Sequence, residues 1–153
     1  MIELDAFDRR ILARYQADTR TTAEAIGAAI GLSTAAVYRR LKRLRDEGVI
    51  AAEVAVVDAA TVGLSTTAIV SVDIDRERAE DLARFEARIS ACPEVQQCWY
   101  VTGRADYVLV VVTADLPAYE AFTRAHLLSD PNVRSFETQV VLRSVKRGLR
   151  VPV

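Results

Sequence analysis

The chain has 153 residues, of which 51% are hydrophobic and 27% charged, and its formal net charge at pH 7 is -1. This composition predicts a packed core and excludes an intrinsically disordered chain, and no apolar run approaches the roughly 20 residues of a membrane-spanning helix. The N-terminal sequence has no secretory apolar stretch, so we expect a cytoplasmic protein with no membrane partner.

Basic residues are concentrated in the N-terminal third of the sequence. Residues 1–52 hold nine Arg and Lys against seven Asp and Glu, whereas residues 53–153 hold eleven against fourteen. Within 34–45 there are five cationic side chains and no acidic one. A local basic segment on a nearly neutral protein indicates a directed contact with phosphates rather than general adhesion to polyanions.

The first fifty residues show helical periodicity in three segments. Asp5 is placed to cap the first helix, and Thr21, followed by Glu24 three residues later, has the form of a capping box for the second. Ser33 is the expected cap of the third helix, which Gly48 would end, because the left-handed turn after a helix favours glycine.

Positions 23–42 match the spacing of a helix-turn-helix. Gly27 would let the two helices approach closely, and Gly31 would supply the positive φ that the turn between them requires. Leu32 and Val37 would fill the space beneath the turn. The spacing therefore predicts a DNA-binding element whose second helix enters a groove.

The predicted third helix carries the candidate DNA-contacting residues. Its outward side presents small, aromatic and cationic side chains, as a recognition helix in the major groove requires. Tyr38 and Arg39 are candidates for base edges, and Ala35 is a candidate for a thymine methyl group. Arg40 lies at the edge of the core stripe, where its stem would pack while its head reaches a phosphate. The other predicted members of the interface are Ser33, Thr34, Lys42 and Arg43.

Beyond Gly48 the periodicity changes from helical to alternating. Residues 49–58 are predicted to be extended, and 59–66 to form a joint between domains. The rest follows the order β-α-β-β-α-β of the ferredoxin-like fold, with both helices on one face of the sheet and a bare opposite face that demands a partner. The predicted strands are 67–74, 95–102, 107–113 and 133–145, and the predicted helices are 76–91 and 116–128, the second with Leu116, Tyr119, Phe122 and Leu127 turned inward.

These segments predict an α+β protein in three parts. Residues 1–50 form a winged helix-turn-helix domain, 51–66 an extended linker or hinge, and 67–153 a ferredoxin-like domain for ligand sensing and oligomerisation.

Several motifs resemble those of the leucine-responsive regulator/AsnC (Lrp/AsnC) family over nearly the whole chain. In the N-terminal part they are Leu4-Asp5-x-x-Asp8-x-x-Ile11-Leu12, GLSTAAVYRRLKRL and Gly48-Val49-Ile50; in the C-terminal part they are Val101-Thr102-Gly103-x-x-Asp106-Tyr107, Ala118-Tyr119-x-x-Phe122, Thr138-x-Val140-Val141 and Val145-Lys146. The resemblance implies a sequence-specific regulator of transcription that binds double-stranded DNA and is associated with the nucleoid. It also implies dimers formed through the exposed sheet faces, which assemble into octamers or other rings.

The same resemblance implies a small effector, commonly an amino acid, bound between C-terminal domains, and no other cofactor. It assigns Gly103 and Asp106 to a turn beside the cleft, Thr138 and Val140 to the strand opposite, and Tyr100 to the lining. Asp106 is suited to pair with an α-ammonium group, and the backbone N–H groups around Gly103 are suited to a carboxylate. The alternative for Asp106 is a turn residue that bonds its own backbone.

Two positions depart from the family pattern. Gly27 stands where the family usually has alanine, which lowers the helix propensity slightly. Trp99 and Tyr100 form a bulky pair beside the expected cleft, which indicates a larger or aromatic effector, or none.

Two other functions share parts of this pattern. An architectural DNA-binding protein without an effector would have the same DNA-binding features. Tetrapyrrole decarboxylases share the two-domain architecture but depend on histidines, and the single histidine here, His126, is predicted to have a packing or surface role. We therefore expect no enzymatic activity and no metal site. Cys92 and Cys98 are predicted to be small buried side chains rather than a disulfide or zinc ligands.

Overall fold

The computed structural model describes residues 2–153 and divides them into two compact units. The N-terminal unit contains the residues up to 56 together with 146–153, and the C-terminal unit contains 57–145. The tail belongs to the N-terminal unit because the side chain of Gln16 makes two hydrogen bonds with the backbone of Val151, at 2.8 and 3.0 Å. Sequence patterning had grouped this tail with the C-terminal domain. Among the described residues, no helix is long and apolar enough to cross a bilayer.

The N-terminal unit contains three helices, α1 (Ala6–Tyr15), α2 (Ala23–Ile30) and α3 (Thr34–Asp46). Asp5 caps α1 and Ser33 caps α3, as predicted. The predicted cap of α2 was wrong by one residue, because the hydroxyl of Thr22 rather than that of Thr21 accepts a hydrogen bond, from the N–H of Ala25. Glu24 is then the second residue of the helix, one position too early to close a capping box.

The three helices enclose one apolar core, and within residues 2–65 the structure contains no strand. The helix-turn-helix is therefore formed without the expected wing. After Gly48, whose φ is +71°, the N–H of Ile50 bonds to the carbonyl of Leu44 at 3.0 Å, and both Val49 and Ile50 pack against the core. Residues 51–58 are exposed and form no strand.

The C-terminal unit has the predicted βαββαβ order. Its elements are β1 (Thr66–Ile74), α4 (Ala79–Ser90), β2 (Val95–Tyr100), β3 (Tyr107–Thr113), α5 (Leu116–Thr123), a π-helical turn (Arg124–Leu128) and β4 (Val133–Val140). The strands form one antiparallel sheet in the order β2-β3-β1-β4. This is the ferredoxin-like arrangement expected from the sequence.

Two of the expected features of this unit differ in the structure. The last strand ends at Val140 rather than at 145, because Val140 pairs with Ala68 near the start of β1 and no partner strand continues beyond. Leu116, predicted to face inward, is 57% exposed, because it is the first residue of α5 and only the next turn reaches the sheet. Tyr119, Phe122 and Leu127 are buried, as predicted.

The sheet has one packed face and one open face. Alternate residues of β1 and β3 pack against α4 and α5 in the core, which also contains Cys92, while Cys98 packs against it. Both cysteines are free; Cys92 is buried, as predicted, whereas Cys98 is half-buried. On the opposite face, Ile69 pairs with Val110 and Trp99 pairs with Val108. Trp99 is 46% and Ile69 36% exposed, so this face retains accessible apolar surface.

Candidate DNA interface and effector-binding site

The turn between α2 and α3 has the geometry that the two glycines predict. Gly31 has a φ of +78°, which favours glycine. A Cβ atom on Gly27 would lie 2.4 Å from the carbonyl oxygen of Leu32, far inside van der Waals contact. The N–H of Leu32 donates to the carbonyl of Gly27 at 3.0 Å, so the backbones meet at this point. Both predictions are confirmed.

Helix α3 divides cleanly into an inner and an outer side. Val37, Leu41 and Leu44 are buried at 0–3% exposure, and they hold the helix on the core. On the outer side Tyr38 is 63% exposed, although a tyrosine ring in a monomeric domain is ordinarily better covered. Ala35 and Arg39 are exposed beside it. This side offers an aromatic ring, a small residue and a cation to a partner.

Most cations of α3 are held by acidic side chains from outside the basic segment. Asp8 of α1 is fully buried, and its carboxylate accepts from Arg40 at 2.8 Å and from Arg43 at 2.5 Å. Arg40 also bonds to Asp5 at 2.7 Å, and its guanidinium lies 5.7 Å from the ring centroid of Phe7. The N–H of Asp8 and the Arg40 guanidinium hold the pKa of Asp5 below its usual range. Arg40 is therefore directed to α1.

Two further cations of α3 have partners nearby. Lys42 pairs with Asp46 at 2.5 Å, and both side chains are largely exposed. Arg45 pairs with Glu53 at 2.8 Å and bonds to the hydroxyl of Tyr15, also at 2.8 Å. The hydrogen bond from Arg45 lowers the pKa of Glu53, while burial raises the pKa of Tyr15. Arg45 thus ties the end of α3 to the segment that follows it.

Arg39 differs from these cations: its guanidinium makes no hydrogen bond and no ion pair with any residue that the structure describes. The sequence had shown a segment free of acids, but folding supplies acids to all of its cations except Arg39. Asp8 was the signal that sequence reasoning missed. It lies on the apolar stripe of α1, four residues before Leu12 and seven before Tyr15, where an acid is buried only if cations reach it.

The N-terminal end of α3 is arranged for an acceptor. The hydroxyl oxygen of Ser33 accepts a hydrogen bond from the N–H of Ala36 at 3.2 Å, so this side chain already serves as the helix cap. Thr34 is exposed at the first position of the helix. Because the first N–H groups of a helix point outward with a partial positive charge, this end is suited to a phosphate oxygen.

The candidate effector turn is fixed to the sheet through Asp106. One carboxylate oxygen of Asp106 accepts the N–H of Ile74 at 2.6 Å, and its own N–H donates to the carbonyl of Val72 at 3.0 Å. The carboxylate of Asp106 therefore bonds to a neighbouring strand, while its carbonyl closes the turn by accepting the N–H of Val101 at 2.9 Å. Gly103 has a φ of +128° and is exposed, which leaves the backbone of the turn open to solvent.

The bulky pair Trp99 and Tyr100 does not line one pocket. Trp99 lies opposite Val108 on the open face, whereas Tyr100 lies opposite Tyr107 on the helix-covered face, with 5.0 Å between the two tyrosine rings. Adjacent residues of a strand point to opposite faces, so only Tyr100 shares a face with the core. The Tyr100 hydroxyl donates to Glu77 at 3.4 Å, and the negative charge of Glu77 raises the pKa of Tyr100.

The remaining candidate effector residues lie further along the sheet. Thr138 is opposite Val70 and bonds to the hydroxyl of Tyr119, and Val140 is opposite Ala68. Asp106 is fixed at Ile74, six residues along β1 from Ala68, which corresponds to about 20 Å at about 3.3 Å per residue. A single copy of the chain therefore does not bring Asp106 and Val140 together.

His126 has the packing role that the sequence predicted. Its ring lies 5.1 Å from that of Phe122, and its Nδ1 is 3.3 Å from the Cys92 sulfur. Among residues 2–153 there is no group of three or more His, Cys, Asp or Glu side chains placed to hold a metal ion.

Two family descriptions match this chain. The AsnC-type helix-turn-helix domain matches residues 4–45, and the Lrp/AsnC ligand binding domain matches residues 67–151. An uncharacterized HTH-type transcriptional regulator of Sinorhizobium fredii is 41% identical over 99% of this chain and 90% of its own length. The Bkd operon transcriptional regulator of Pseudomonas aeruginosa is 37% identical over 95% of each chain.

A solved structure shows the same architecture. A transcriptional regulator of Neisseria meningitidis, determined as a complex with L-Met, is 31% identical and superimposes with a TM-score of 0.92. The superposition covers 98% of this chain and 97% of the other. Both the helix-turn-helix and the four-stranded sheet of this chain thus have counterparts in one solved protein.

Proposed function

This chain belongs to the Lrp/AsnC family of DNA-binding transcription regulators, and we propose that it reads its operator through the outer side of α3 and senses an amino acid through its C-terminal unit. The main support for DNA recognition is the outer side of α3, where Tyr38 and Arg39 are exposed. Among the described residues, none forms an ion pair with Arg39. A cation without an internal partner loses no ion pair when it binds a base edge.

Within this interface the α3 residues have different roles. Arg39 and Tyr38 read base edges, and Ala35 contacts a thymine methyl group. Thr34 and the start of the helix that Ser33 caps receive one phosphate, and Lys42 receives another. Arg40 and Arg43 position α3 on α1 through Asp8. Arg43, whose side chain is 42% exposed, also contributes to the positive field toward the DNA backbone.

Binding to DNA is tested with an operator selected from random duplexes and a scrambled duplex, both measured by fluorescence anisotropy. Arg39→Ala is expected to weaken operator binding by about 10- to 100-fold and to relax the preference at one base pair. The matched control is Lys42→Ala, a neighbouring cation whose pair with Asp46 is exposed. It should weaken both duplexes equally and lower the salt slope by about one. Equal losses on both duplexes for Arg39→Ala would contradict the proposed base contact.

We propose that the effector site is completed by a second copy of the chain. Asp106 and Gly103 would come from one copy and Thr138 and Val140 from the other, because the turn and the end of β4 lie far apart within one copy. The ring of Tyr100 would line the cleft between them. The open sheet face with Ile69, Trp99 and their strand partners is the surface for dimer formation, and further contacts between dimers would give octamers or other rings.

The amino acid is held by its charged groups. One carboxylate oxygen of Asp106 is bonded to Ile74, and the other oxygen is available for an α-ammonium group. The exposed backbone at Gly103 receives the α-carboxylate. The Neisseria meningitidis relative was solved with L-Met, which supports an amino acid as the effector class here.

The effector is tested by calorimetric titration of the twenty amino acids into the full chain. Asp106→Asn keeps an acceptor for the Ile74 N–H and removes the charge, so it is expected to weaken binding about tenfold or more at unchanged stability. No heat from any amino acid at millimolar concentration would reject the sensing role. Combined with intact operator binding, that result would favour the architectural alternative.

A further inference from the structure

A small cavity in the C-terminal unit is lined by three arginines. It lies between α4 and the loop before β4 and has a volume of about 140 Å³. Its polar lining consists of Arg76, Arg84, Arg88, Asp81, Asp130 and Asn132. None of these residues belongs to the candidate effector set or to the DNA interface. The volume corresponds to about four to five water molecules at about 30 Å³ each.

The charges in this cavity are not balanced. Arg84 pairs with Asp81, and Arg88 pairs through Nη2 with Asp130. Arg76 has no carboxylate partner among the described residues, and its Nε reaches only the amide oxygen of Asn132, at 3.4 Å. Three cations against two carboxylates leave the lining with a net charge of +1.

One donor in the cavity wall is buried without an acceptor. The Nε of Arg88 is the only buried side-chain nitrogen or oxygen in residues 2–153 that has no hydrogen-bond partner. Buried donors are nearly always paired, because an unpaired one has lost its hydration without compensation. The guanidinium stands 5.6 Å from the centroid of the Phe85 ring, which limits its movement toward other acceptors.

The cavity wall is held in place independently of any ligand. The amide oxygen of Asn132 accepts the N–H of Arg76 at 3.0 Å, and its amide nitrogen donates to the carbonyl of Arg76 at 3.1 Å. The N–H of Asn132 donates to Asp130 at 2.8 Å, and Asn132 is only 6% exposed. The loop and the end of β1 are thus joined before anything binds, which reduces the entropy lost on binding.

We propose that this cavity binds the phosphate group of a small molecule. The guanidinium groups of Arg76, Arg84 and Arg88 line a space that suits a tetrahedral dianion better than a planar carboxylate, because three arginines can bond to different oxygens. Free phosphate and the phosphate end of a monoester or nucleotide share this chemistry. The site is independent of the amino-acid sensing proposed above.

The test is titration of the full chain, at constant ionic strength, with inorganic phosphate, AMP and acetate, followed by the NMR signal of the Arg88 Nε–H group. We expect a saturable shift with phosphate, with AMP or with both, and a much weaker one with acetate. The response to AMP relative to phosphate tells which source is preferred. No saturable shift with phosphate and AMP, or equal affinity for acetate, would overturn the proposal.

Two variants separate a built site from general attraction of anions. Arg76→Gln removes the cation that has no carboxylate partner and leaves both ion pairs intact, so it is expected to weaken phosphate binding about tenfold. Arg124→Gln is the matched control, because Arg124 is an exposed arginine of the same unit, paired with Glu120. Equal weakening by the two variants would overturn the proposal, and circular dichroism checks that both variants are folded.

Discussion

Two clusters of aspartates and arginines in this protein have nearly the same composition. They differ in whether the hydrogen-bonding groups of the cluster all have partners. At α1 and α3, Asp5 and Asp8 face Arg40 and Arg43; at α4 and the loop before β4, Asp81 and Asp130 face Arg84 and Arg88. In the first cluster one buried carboxylate binds two arginines from another helix, whereas in the second each carboxylate binds one. Equal residue types thus give a structural clamp in one place and unused donors in the other.

The difference arises from the arginines, because the side chains of Asp8 and Asp81 are both buried, at 1% and 7% exposure. The side chain of Asp8 is 1% exposed, so both of its oxygens need partners inside the protein. Its Oδ2 also accepts the N–H of Asp5, at 3.1 Å. Arg84, in contrast, is 73% exposed, and water competes with Asp81 for its donors. A saturated cluster contributes to stability and position, whereas an unsaturated one retains capacity to bind.

The largest expected effect is the loss of the first clamp. Asp8→Asn leaves the guanidinium groups of Arg40 and Arg43 without their shared charge and is expected to lower the free energy of unfolding by about 2–4 kcal/mol. Urea denaturation followed by circular dichroism measures it. Asp81→Asn is the matched change in the second cluster and should cost less than half as much. Similar costs for both variants would remove the distinction between the clusters.

The second prediction concerns the wall of the arginine-lined cavity. Asn132→Ala removes two hydrogen bonds to the backbone of Arg76 in a buried position and is expected to destabilise the protein by about 1–3 kcal/mol. Because Trp99, the only tryptophan in the sequence, lies in the same unit, its fluorescence reports this transition. Gln139→Ala on the exposed part of β4 is the control. A cost no greater than that of the control would show that the wall is not held by Asn132.

The third prediction tests the position of α3, on which the first cluster depends. Gly27→Ala gains about 1 kcal/mol of helix propensity but forces the backbone of Leu32 away from a contact of 2.4 Å, so a net loss of about 1–2 kcal/mol is expected. Ala28→Gly, an exposed change in the same helix, measures the propensity alone and should cost about 1 kcal/mol. A Gly27→Ala protein with a raised melting temperature would mean that the turn adapts at no cost.

The smallest expected effects appear at the two limits of pH and differ between the units. In the N-terminal unit the pKa values of Asp5 and Glu53 are lowered. Their contribution to the free energy of unfolding is therefore present above the ordinary carboxyl pKa range and is lost as the pH falls through the lowered pKa values. In the C-terminal unit burial raises the pKa of Cys92 and Cys98 above the ordinary thiol value of 9.0. The contribution of these thiols to the free energy of unfolding is therefore present below pH 9 and is lost as the pH rises through the raised pKa values.

Melting curves between pH 3 and pH 10 measure both limits. Glu53→Gln should reduce the loss on the acid side, and Cys98→Ala should reduce the loss on the alkaline side. Each variant is the control for the other, because each removes a group that titrates at only one of the two pH limits. Loss of both slopes in a single variant would contradict the assignment to separate units.

Short-range features of the fold were predictable; apart from the missing wing, the errors concerned the ends of elements and the inward direction of single residues. The order of strands and helices in the C-terminal unit follows from the hydrophobic periodicity and from the turn residues between segments. The helix caps Asp5 and Ser33 follow from the residue types that begin helices. Thr21 and Thr22 could each cap α2, and only the start of the helix decides between them. The end of β4 depended on where β1 begins, because the two strands are antiparallel and Val140 pairs with Ala68, which is a long-range fact.

The site was predictable as a location but not as a set of roles. Sequence spacing placed Tyr38, Arg39 and the neighbouring cations of α3 on an outward surface, and Arg39 and Tyr38 are exposed. It did not show that Arg40 and Arg43 are directed to Asp8, because that carboxylate lies more than thirty residues away in the sequence. Alternation along the predicted strand already places Trp99 and Tyr100 on opposite faces, but only the structure shows that they lie beside different partners.

The amino-acid sequence by itself determined the family, the helix-turn-helix with its two glycines and the βαββαβ order, because these depend on local periodicity, caps and turns. Tertiary structure alone decided which cations are neutralised, which donor of Arg88 is left over and how far Asp106 lies from Val140. Pairing of charges and the saturation of buried polar groups depend on distances between segments remote in the chain, and no local pattern encodes those distances.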